Sequence, residues 1–209
     1  MAEENNKQDK NKKLGSYLVV SRGVINNAVE SQITSYTTKG TYKPIGEILV
    51  EQGVISKEEL ENSLRNQRIA RLAGCPVFAS LSRSELGSLC KYFTEVQYGP
   101  GETFIMQGED DPTLYVIATG QVEVFRLDNT GEEIPIAIVG EGEPIGEMGY
   151  FSGEKRSACV RTLEPCLLLR AEYKNLTRYF EDVPRVAHAF MQVINHRKRE
   201  LDKITSINE

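Results

Sequence analysis

The chain has 209 residues, more than one average domain needs and too few for two large ones. Hydrophobic residues make up 40% and charged residues 26%, close to the averages of folded proteins, which excludes wholesale disorder. The net charge of −5 argues against a large nucleic-acid interface. Apolar runs such as residues 114–118 are far shorter than a bilayer span, so we expect no transmembrane helix.

Residues 1–12 are almost wholly polar and carry charges of both signs, which predicts a disordered tail. They lack the apolar run of a secretory signal, so we expect a cytoplasmic protein. The four cysteines form no Cys-x-x-Cys motif and have no histidine nearby, which argues against a zinc site or a redox pair. We therefore expect reduced, mostly buried thiols and no metal.

An internal repeat with an offset of about 31 residues follows the tail. Residues 14–19 return as residues 45–50, and residues 23–26 return as residues 53–56. The repeat predicts a small all-helical tandem-repeat domain over residues 13–70. Its two helical hairpins are expected to pack face to face, because neither can bury its apolar stripe alone.

The second copy of the repeat indicates how each hairpin forms. Gly53 can adopt the left-handed conformation that ends a helix. Ser56 and Glu59 have the spacing of a capping box, which starts the next helix. By analogy, we predict that Asn26 caps the matching helix of the first copy.

After the repeat, short strands lie between two sets of helical signals. Ser82 and Glu85 have the spacing of a capping box and start a helix. Apolar runs such as residues 113–117 are separated by glycine-containing turns, which indicates a small antiparallel barrel. Helical spacing then resumes, and Pro184 opens a final helix. Residues 71–209 are therefore predicted to form an α+β domain, a jelly-roll-like antiparallel β-barrel with flanking helices.

One segment between the strands has the residues of an anion site. Gly146 and Glu147 open a short helix, where backbone N–H groups and the helix dipole favour a phosphate. Arg156 can supply a bidentate charged contact, Ser157 a hydroxyl, and Glu147 an acceptor for a sugar hydroxyl. This pattern indicates a receptor for a phosphorylated ribose. A turn with a solvated ion pair is the alternative that the spacing alone leaves open.

The segment resembles the phosphate-binding cassette of the cyclic nucleotide-binding domain family, especially its bacterial catabolite-activator branch. The resemblance covers roughly residues 75–206 and includes the motifs at residues 100–102 and 120–124. It implies that Arg156 pairs with the cyclic phosphate, that Glu147 holds the ribose 2′-hydroxyl, and that nearby backbone amides complete the site. The implied ligand-binding residues are Gly146, Glu147, Met148, Arg156, Ser157, Ala158 and Arg197.

The same resemblance leaves the base of the ligand open. In the catabolite-activator branch, hydroxyl residues on the last helix contact the adenine, whereas Leu201 and Asp202 occupy those positions here. Arg197, one turn earlier, either reaches the base or is solvated. We expect cAMP as the first ligand and cGMP as the second, with no other cofactor.

The N-terminal repeat resembles a second family, the N-terminal domain of type II secretion and type IV pilus assembly ATPases. Some of its members bind cyclic di-GMP through two tandem copies. Here Lys13 and Pro44 replace the usual arginine, and Tyr36 replaces the closing glutamine of the first copy, which favours a docking role over cyclic di-GMP binding. The residues that reproduce the spacing of the family are Gly46, Leu49, Gly53, Leu60, Leu64 and Gln67.

The residues around the anion site narrow the class of function. His188 and His196 are the only histidines, and no catalytic constellation accompanies them, so we expect no enzyme. No helix-turn-helix pattern follows the last helix of this sequence, so we expect no binding of nucleic acid. The sequence thus predicts a non-enzymatic receptor for cAMP or cGMP that alters how its N-terminal module meets a protein partner. The alternative is a docking protein of a pilus or secretion system that has lost or changed its ligand and senses cyclic di-GMP through the repeat.

The final helix carries apolar residues at the spacing of a coiled-coil seam. This spacing, together with the resemblance to the catabolite-activator branch, predicts a parallel homodimer. Packing of the helix onto the barrel of its own chain is the alternative. The residues of the seam are Ala187, Phe190, Ile194, Arg197, Leu201 and Ile204.

Overall fold

The structure is a computed structural model that describes residues 13–40, 42–152 and 155–207. Within these ranges, the side chains of Lys39 and of residues 151–152 and 201–207 are outside the description. The tail predicted at residues 1–12 also lies outside the described residues. The chain divides into two compact units, Met1–Ala70 and Arg71–Glu209, and each unit is considered by itself.

The second copy of the repeat folds as its sequence predicts. Its first helix ends at Gly53, which has a φ of 67° and whose amide donates to the carbonyl of Val50 at 3.0 Å. The amide of Ser56 then donates to a carboxylate oxygen of Glu59 at 2.7 Å, and the Glu59 amide donates back to Ser56 Oγ at 3.1 Å. The helices of the first unit are α1 (Arg22–Lys39), α2 (Ile45–Glu51) and α3 (Lys57–Ala73), after a 3₁₀ turn at Leu14–Ser16.

The first copy of the repeat folds differently, and Asn26 is not a helix cap. Helix α1 begins before it, because Ser21 Oγ accepts a hydrogen bond from the Val24 amide at 3.4 Å. Gly23, the counterpart of Gly53, therefore lies inside the first turn of α1 instead of ending a helix. The prediction for Asn26 was wrong because an earlier hydroxyl supplies the cap.

Both copies contribute to one hydrophobic core, which confirms that the two halves of the repeat pack together. Ile33 and Tyr36 on α1 are exposed, so the stripe of the first copy is only partly covered. The buried residues of this core are Leu18, Ala28, Ile48, Leu49 and Ile55.

The second unit begins with helix α4 (Arg83–Leu89), in which Ser82 and Glu85 form the predicted capping box. Within the described residues it then builds two antiparallel sheets of four strands each, in the orders β1-β8-β3-β6 and β2-β7-β4-β5. The strands are β1 (Thr94–Tyr98), β2 (Thr103–Ile105), β3 (Thr113–Thr119), β4 (Val122–Leu127), β5 (Glu133–Val139), β6 (Pro144–Ile145), β7 (Cys159–Thr162) and β8 (Cys166–Glu172).

The two sheets enclose an apolar core, and three further helices follow the strands or lie between them. Helix α5 (Met148–Ser152) lies between β6 and β7, and α6 (Tyr173–Glu181) follows β8 directly. Helix α7 (Pro184–Ile207) is the predicted final helix. The observed α+β fold, with two four-stranded sheets and flanking helices, confirms the predicted fold class. All four cysteines are buried and none is in a disulfide.

The seam residues that the structure describes on α7 face their own domain. Phe190 has no exposed surface and stacks on Phe180, with ring centroids 4.4 Å apart. Ile194 is 3% exposed. These two positions therefore follow the alternative, packing within the chain, because their apolar surface is already covered. The side chains of Leu201 and Ile204 lie outside the described residues, and the homodimer remains a prediction. Within the described part of the chain, no helix is both long and apolar enough to cross a membrane.

Candidate functional site

The predicted anion site lies where β6 ends and the chain turns into α5. Gly146 at this turn has a φ of 86°, in the left-handed region that favours glycine. A Cβ atom there would be 2.8 Å from the carbonyl oxygen of Thr113 and would also overlap Nη1 of Arg156. Glycine therefore serves two purposes here, since it permits the turn and lets a guanidinium group lie against the backbone.

Arg156 is the most constrained charged side chain of the site, with only 5% of its surface exposed. Its Nη2 donates to Asp111 Oδ2 at 2.6 Å and to the Thr113 carbonyl at 2.5 Å. Its Nη1 donates to the Gly146 carbonyl at 2.9 Å and to the Tyr173 hydroxyl at 3.1 Å. Among the described residues, its buried Nε has no hydrogen-bond partner. The bidentate phosphate contact that the sequence suggested would require Nη1 or Nη2 to leave these acceptors.

Glu147 is the second buried charge of the site and is 2% exposed. Its Oε1 lies 2.7 Å from Nη1 of Arg197, which reaches the site from α7. Arg197 also donates to the Pro144 carbonyl at 2.7 Å and lies 3.4 Å from a carboxylate oxygen of Glu143. Arg197 is therefore not a solvated side chain, because its guanidinium group joins the last helix to the turn of the cassette.

The remaining predicted residues complete one side of the same site. Ser157 Oγ lies 3.9 Å from Met148 Sδ, and the Ser157 carbonyl accepts a hydrogen bond from Arg126 Nε at 2.9 Å. Met148, Ser157 and Ala158 are all half-buried. Arg126 thus supports the backbone of the cassette and leaves the Ser157 side chain facing the other site residues.

These residues line a cavity of about 370 Å³. All seven predicted ligand-binding residues are among its lining residues. Strands β2, β4, β5 and β7 supply an apolar wall opposite them. A cavity of this size, apolar with a few convergent polar groups, is typical of a small-molecule site. The residues of the apolar wall include Ile105, Val124, Ile136, Val139 and Val160.

Sequence reasoning missed four residues of the site or its support. His196 and Glu200 of α7 line the cavity, and their spacing from Arg197 on one helix was a signal that could have found them. Asp111 and Tyr173 hold Arg156 from distant parts of the chain, and no local pattern points to them.

Tyr173 lies at the base of the cassette and is largely buried. Burial raises the pKa of its phenol to about 12, so the hydroxyl is neutral at physiological pH. It can therefore donate to the Gly146 carbonyl, with which it is in hydrogen-bond contact, while accepting from Arg156. Within the described residues, no group of three or more His, Cys, Asp and Glu side chains could hold a metal ion.

Comparison with known proteins gives the site a family context. Residues 95–182 match the model of the cyclic nucleotide-binding domain. The chain is 31% identical over 131 residues to the cyclic AMP receptor protein of Thermus thermophilus, covering 63% of this chain and 61% of that protein. It is 25% identical over 128 residues to a CRP-like cAMP-activated global transcriptional regulator of Mycobacterium tuberculosis, covering 61% of this chain and 57% of the regulator. The chain therefore spans about three fifths of the length of these two relatives.

A solved structure agrees with these sequence matches. The catabolite activator protein of Thermus thermophilus superposes with a TM-score of 0.57 at 30% identity, over 63% of this chain and 62% of that one. The matched residues 95–182 include the turn at Gly146, the buried Glu147 and the clamped Arg156. Residues 95–182 of this chain therefore form a cyclic nucleotide-binding domain whose relatives are regulators of the catabolite-activator type.

Proposed function

We propose that this protein is a non-enzymatic receptor for a cyclic mononucleotide, with cAMP as the first ligand and cGMP as the second. The observation that carries the proposal is the buried, unpartnered Nε of Arg156 beside a cavity of about 370 Å³. A buried guanidinium group costs free energy unless its donors are satisfied, and a phosphate oxygen would satisfy this one.

The geometry assigns a part of the ligand to each group. Arg156 and the Ser157 hydroxyl would hold the cyclic phosphate, together with the backbone of residues 146–148. Glu147 would accept a hydrogen bond from the ribose 2′-hydroxyl while keeping its ion pair with Arg197. The purine would pack against the apolar wall, because a flat aromatic ring loses less hydration there than a charged group. Each end of the ligand thus meets a matching surface.

The preference for cAMP rests on the relatives and not on the base pocket. The Thermus thermophilus relative is named a cyclic AMP receptor protein, and the Mycobacterium tuberculosis relative a cAMP-activated regulator. Arg197 is already engaged by Glu147 and the Pro144 carbonyl, which leaves His196 and Glu200 as the polar groups of α7 nearest the base. These two side chains are where selectivity between adenine and guanine would be decided.

Titration calorimetry on the purified chain with cAMP, cGMP and cyclic di-GMP tests the proposal. We expect one mole of cAMP per chain, weaker binding of cGMP, and no heat from cyclic di-GMP. Absence of binding by both mononucleotides would refute the receptor. Binding of cyclic di-GMP instead would favour the docking protein that senses its ligand through the N-terminal repeat.

The output of the receptor is proposed to be a protein contact of the N-terminal module, in the cytoplasm and in a homodimer. Affinity capture with and without cAMP, with pilus or secretion ATPases as candidate partners, tests the coupling. Light scattering at tens of micromolar tests the dimer, and a monomer with and without nucleotide would refute it. Because relatives are named transcriptional regulators, DNA retention at low ionic strength is measured as well, and we expect none.

A further inference from the structure

The guanidinium group of Arg156 has five N–H donors, and the fold engages both terminal nitrogens. Nη2 faces Asp111 and the Thr113 carbonyl, and Nη1 faces the Gly146 carbonyl and the Tyr173 hydroxyl. The Nε–H is the donor that these four contacts leave over. Any anion that binds without breaking them must therefore approach Arg156 at Nε.

Tyr173 is built into this clamp from both its backbone and its side chain. As the first residue of α6, it donates its amide to the Pro112 carbonyl at 2.8 Å, which ties it to the start of β3. Its ring packs edge-on against Tyr150, with centroids 5.1 Å apart. With the backbone and the ring both fixed, the hydroxyl has one place to lie, between Arg156 Nη1 and the Gly146 carbonyl.

We propose that Tyr173 is a positioning residue of the phosphate site, whose hydroxyl holds the guanidinium plane of Arg156 so that Nε–H meets the ligand's phosphate. This inference rests on the proposed function, since it concerns the same ligand. Asp111 and Thr113 fix one end of the guanidinium group through Nη2, and Tyr173 fixes the other through Nη1. Removing the hydroxyl leaves one N–H of Nη1 without an acceptor and allows the plane to rotate. A rotated plane moves Nε away from the phosphate.

Calorimetric titration of cAMP into Tyr173→Phe tests this role, because phenylalanine keeps the ring and its packing. We expect affinity to fall roughly fivefold to twentyfold, the effect of losing one buried hydrogen bond. Tyr179→Phe, the same change on the same helix outside the cavity lining, is the matched control and should stay within about twofold.

A double-mutant cycle separates positioning from a general structural effect. In an Arg156→Lys background, Tyr173→Phe should change affinity by less than about twofold, because the group that it positions is gone. An equal loss in both backgrounds would mean that Tyr173 acts on the fold and not through Arg156, and would overturn the inference. No loss in Tyr173→Phe alone would overturn it as well, although the receptor itself would stand.

A spectroscopic measurement on the unaltered protein does not depend on how the variants fold. The ¹H–¹⁵N signal of Arg156 Nε, identified by its absence from the Arg156→Lys spectrum, should shift strongly when cAMP is added. In Tyr173→Phe the signal should broaden before ligand is added, since the guanidinium plane is no longer held. A signal that ignores saturating cAMP would refute the contact at Nε. Failure of the unaltered protein to bind any cyclic mononucleotide would refute both this inference and the proposed function.

Discussion

The two units of the chain differ in what they bury. Within the described residues, the buried polar side chains of the first unit are neutral, and Ser63 is satisfied by donating to the Tyr17 carbonyl at 3.0 Å. The second unit buries the charged residues Glu147 and Arg156, and one donor of Arg156 has no partner. Burying a charge costs several kcal/mol unless it is paired. The comparison teaches that the ligand site is marked by the unit that carries this cost.

The same contrast holds between two glycines with similar backbone conformations. Gly53 of the first unit and Gly146 of the second have φ values of 67° and 86°. A Cβ atom at Gly53 would meet nothing within 4 Å, whereas at Gly146 it would collide with Arg156 and the Thr113 carbonyl. The first glycine serves only the turn, and the second also makes room for the site.

Arg156→Ala should have the largest effect on ligand binding. Loss of the charge-assisted contact should cost about 3 kcal/mol, roughly a hundredfold in cAMP affinity by calorimetry. The sequence alone suggested that folding would barely change, but four buried acceptors lose their donors, so thermal stability should also fall. Arg161→Ala is the control, because Arg161 also lies on the β7 segment but pairs with Glu123 and Glu133 outside the cavity lining. Comparable losses of affinity in the two variants would contradict the assignment.

Gly146→Ala should disturb both folding and binding in the second unit. The added Cβ forces the guanidinium group away from the backbone, and a positive φ is unfavourable for alanine. We expect cAMP affinity to fall at least tenfold and the melting temperature of the second unit to drop by several degrees, as an approximate loss of more than 1 kcal/mol implies. Calorimetric titration and thermal melting measure the two effects. Unchanged affinity would show that the turn does not shape the site.

Glu147→Gln should weaken binding of the ribonucleotide selectively. We expect about a tenfold loss for cAMP, because a charged acceptor for the ribose hydroxyl is replaced by a neutral one. The 2′-deoxy analogue lacks the hydroxyl and should lose less affinity. Competition titrations with both ligands measure the difference. Equal losses for the two ligands would remove the ribose assignment from Glu147.

Gly53→Val should affect the first unit alone. Valine is strained at a positive φ, so the free energy of unfolding should fall by about 1 kcal/mol or more. The affinity for cAMP should not change, because residues 71–209 form a compact unit of their own. Chemical denaturation and calorimetry on the same sample measure both quantities. A coupled loss of affinity would show that the two units do not act separately.

The smallest expected effect concerns the capping carboxylates, one in each unit. Hydrogen bonds from Ser82, with Arg185 nearby, lower the pKa of Glu85 to about 2, and Ser56 lowers the pKa of Glu59. Both groups therefore favour the folded state above their ordinary pKa of 4.5 and lose that contribution as the pH falls below it. Denaturation curves at pH 3 and pH 6 should show a smaller difference for Glu85→Gln than for the unaltered chain. An unchanged difference would mean that the cap is not coupled to folding.

Much of the fold was predictable because its signals act over short distances. The capping boxes at Ser56 and Ser82, the stop at Gly53 and the start at Pro184 each operate within one helical turn, and the structure has all of them. The first copy of the repeat failed for the same reason. Similarity to the second copy suggested a boundary at Asn26, but the nearer hydroxyl of Ser21 decided where α1 begins.

By itself, the sequence determined the fold class and the seven residues that line one face of the cavity, because the cassette is nearly continuous along the chain. Only the tertiary structure decided the state of Arg156, whose partners Asp111, Thr113 and Tyr173 lie 45, 43 and 17 residues away. It likewise decided that Phe190 and Ile194 pack on their own domain. Strand pairing and helix docking bring such groups together, and these long-range contacts have no local period that a single sequence displays.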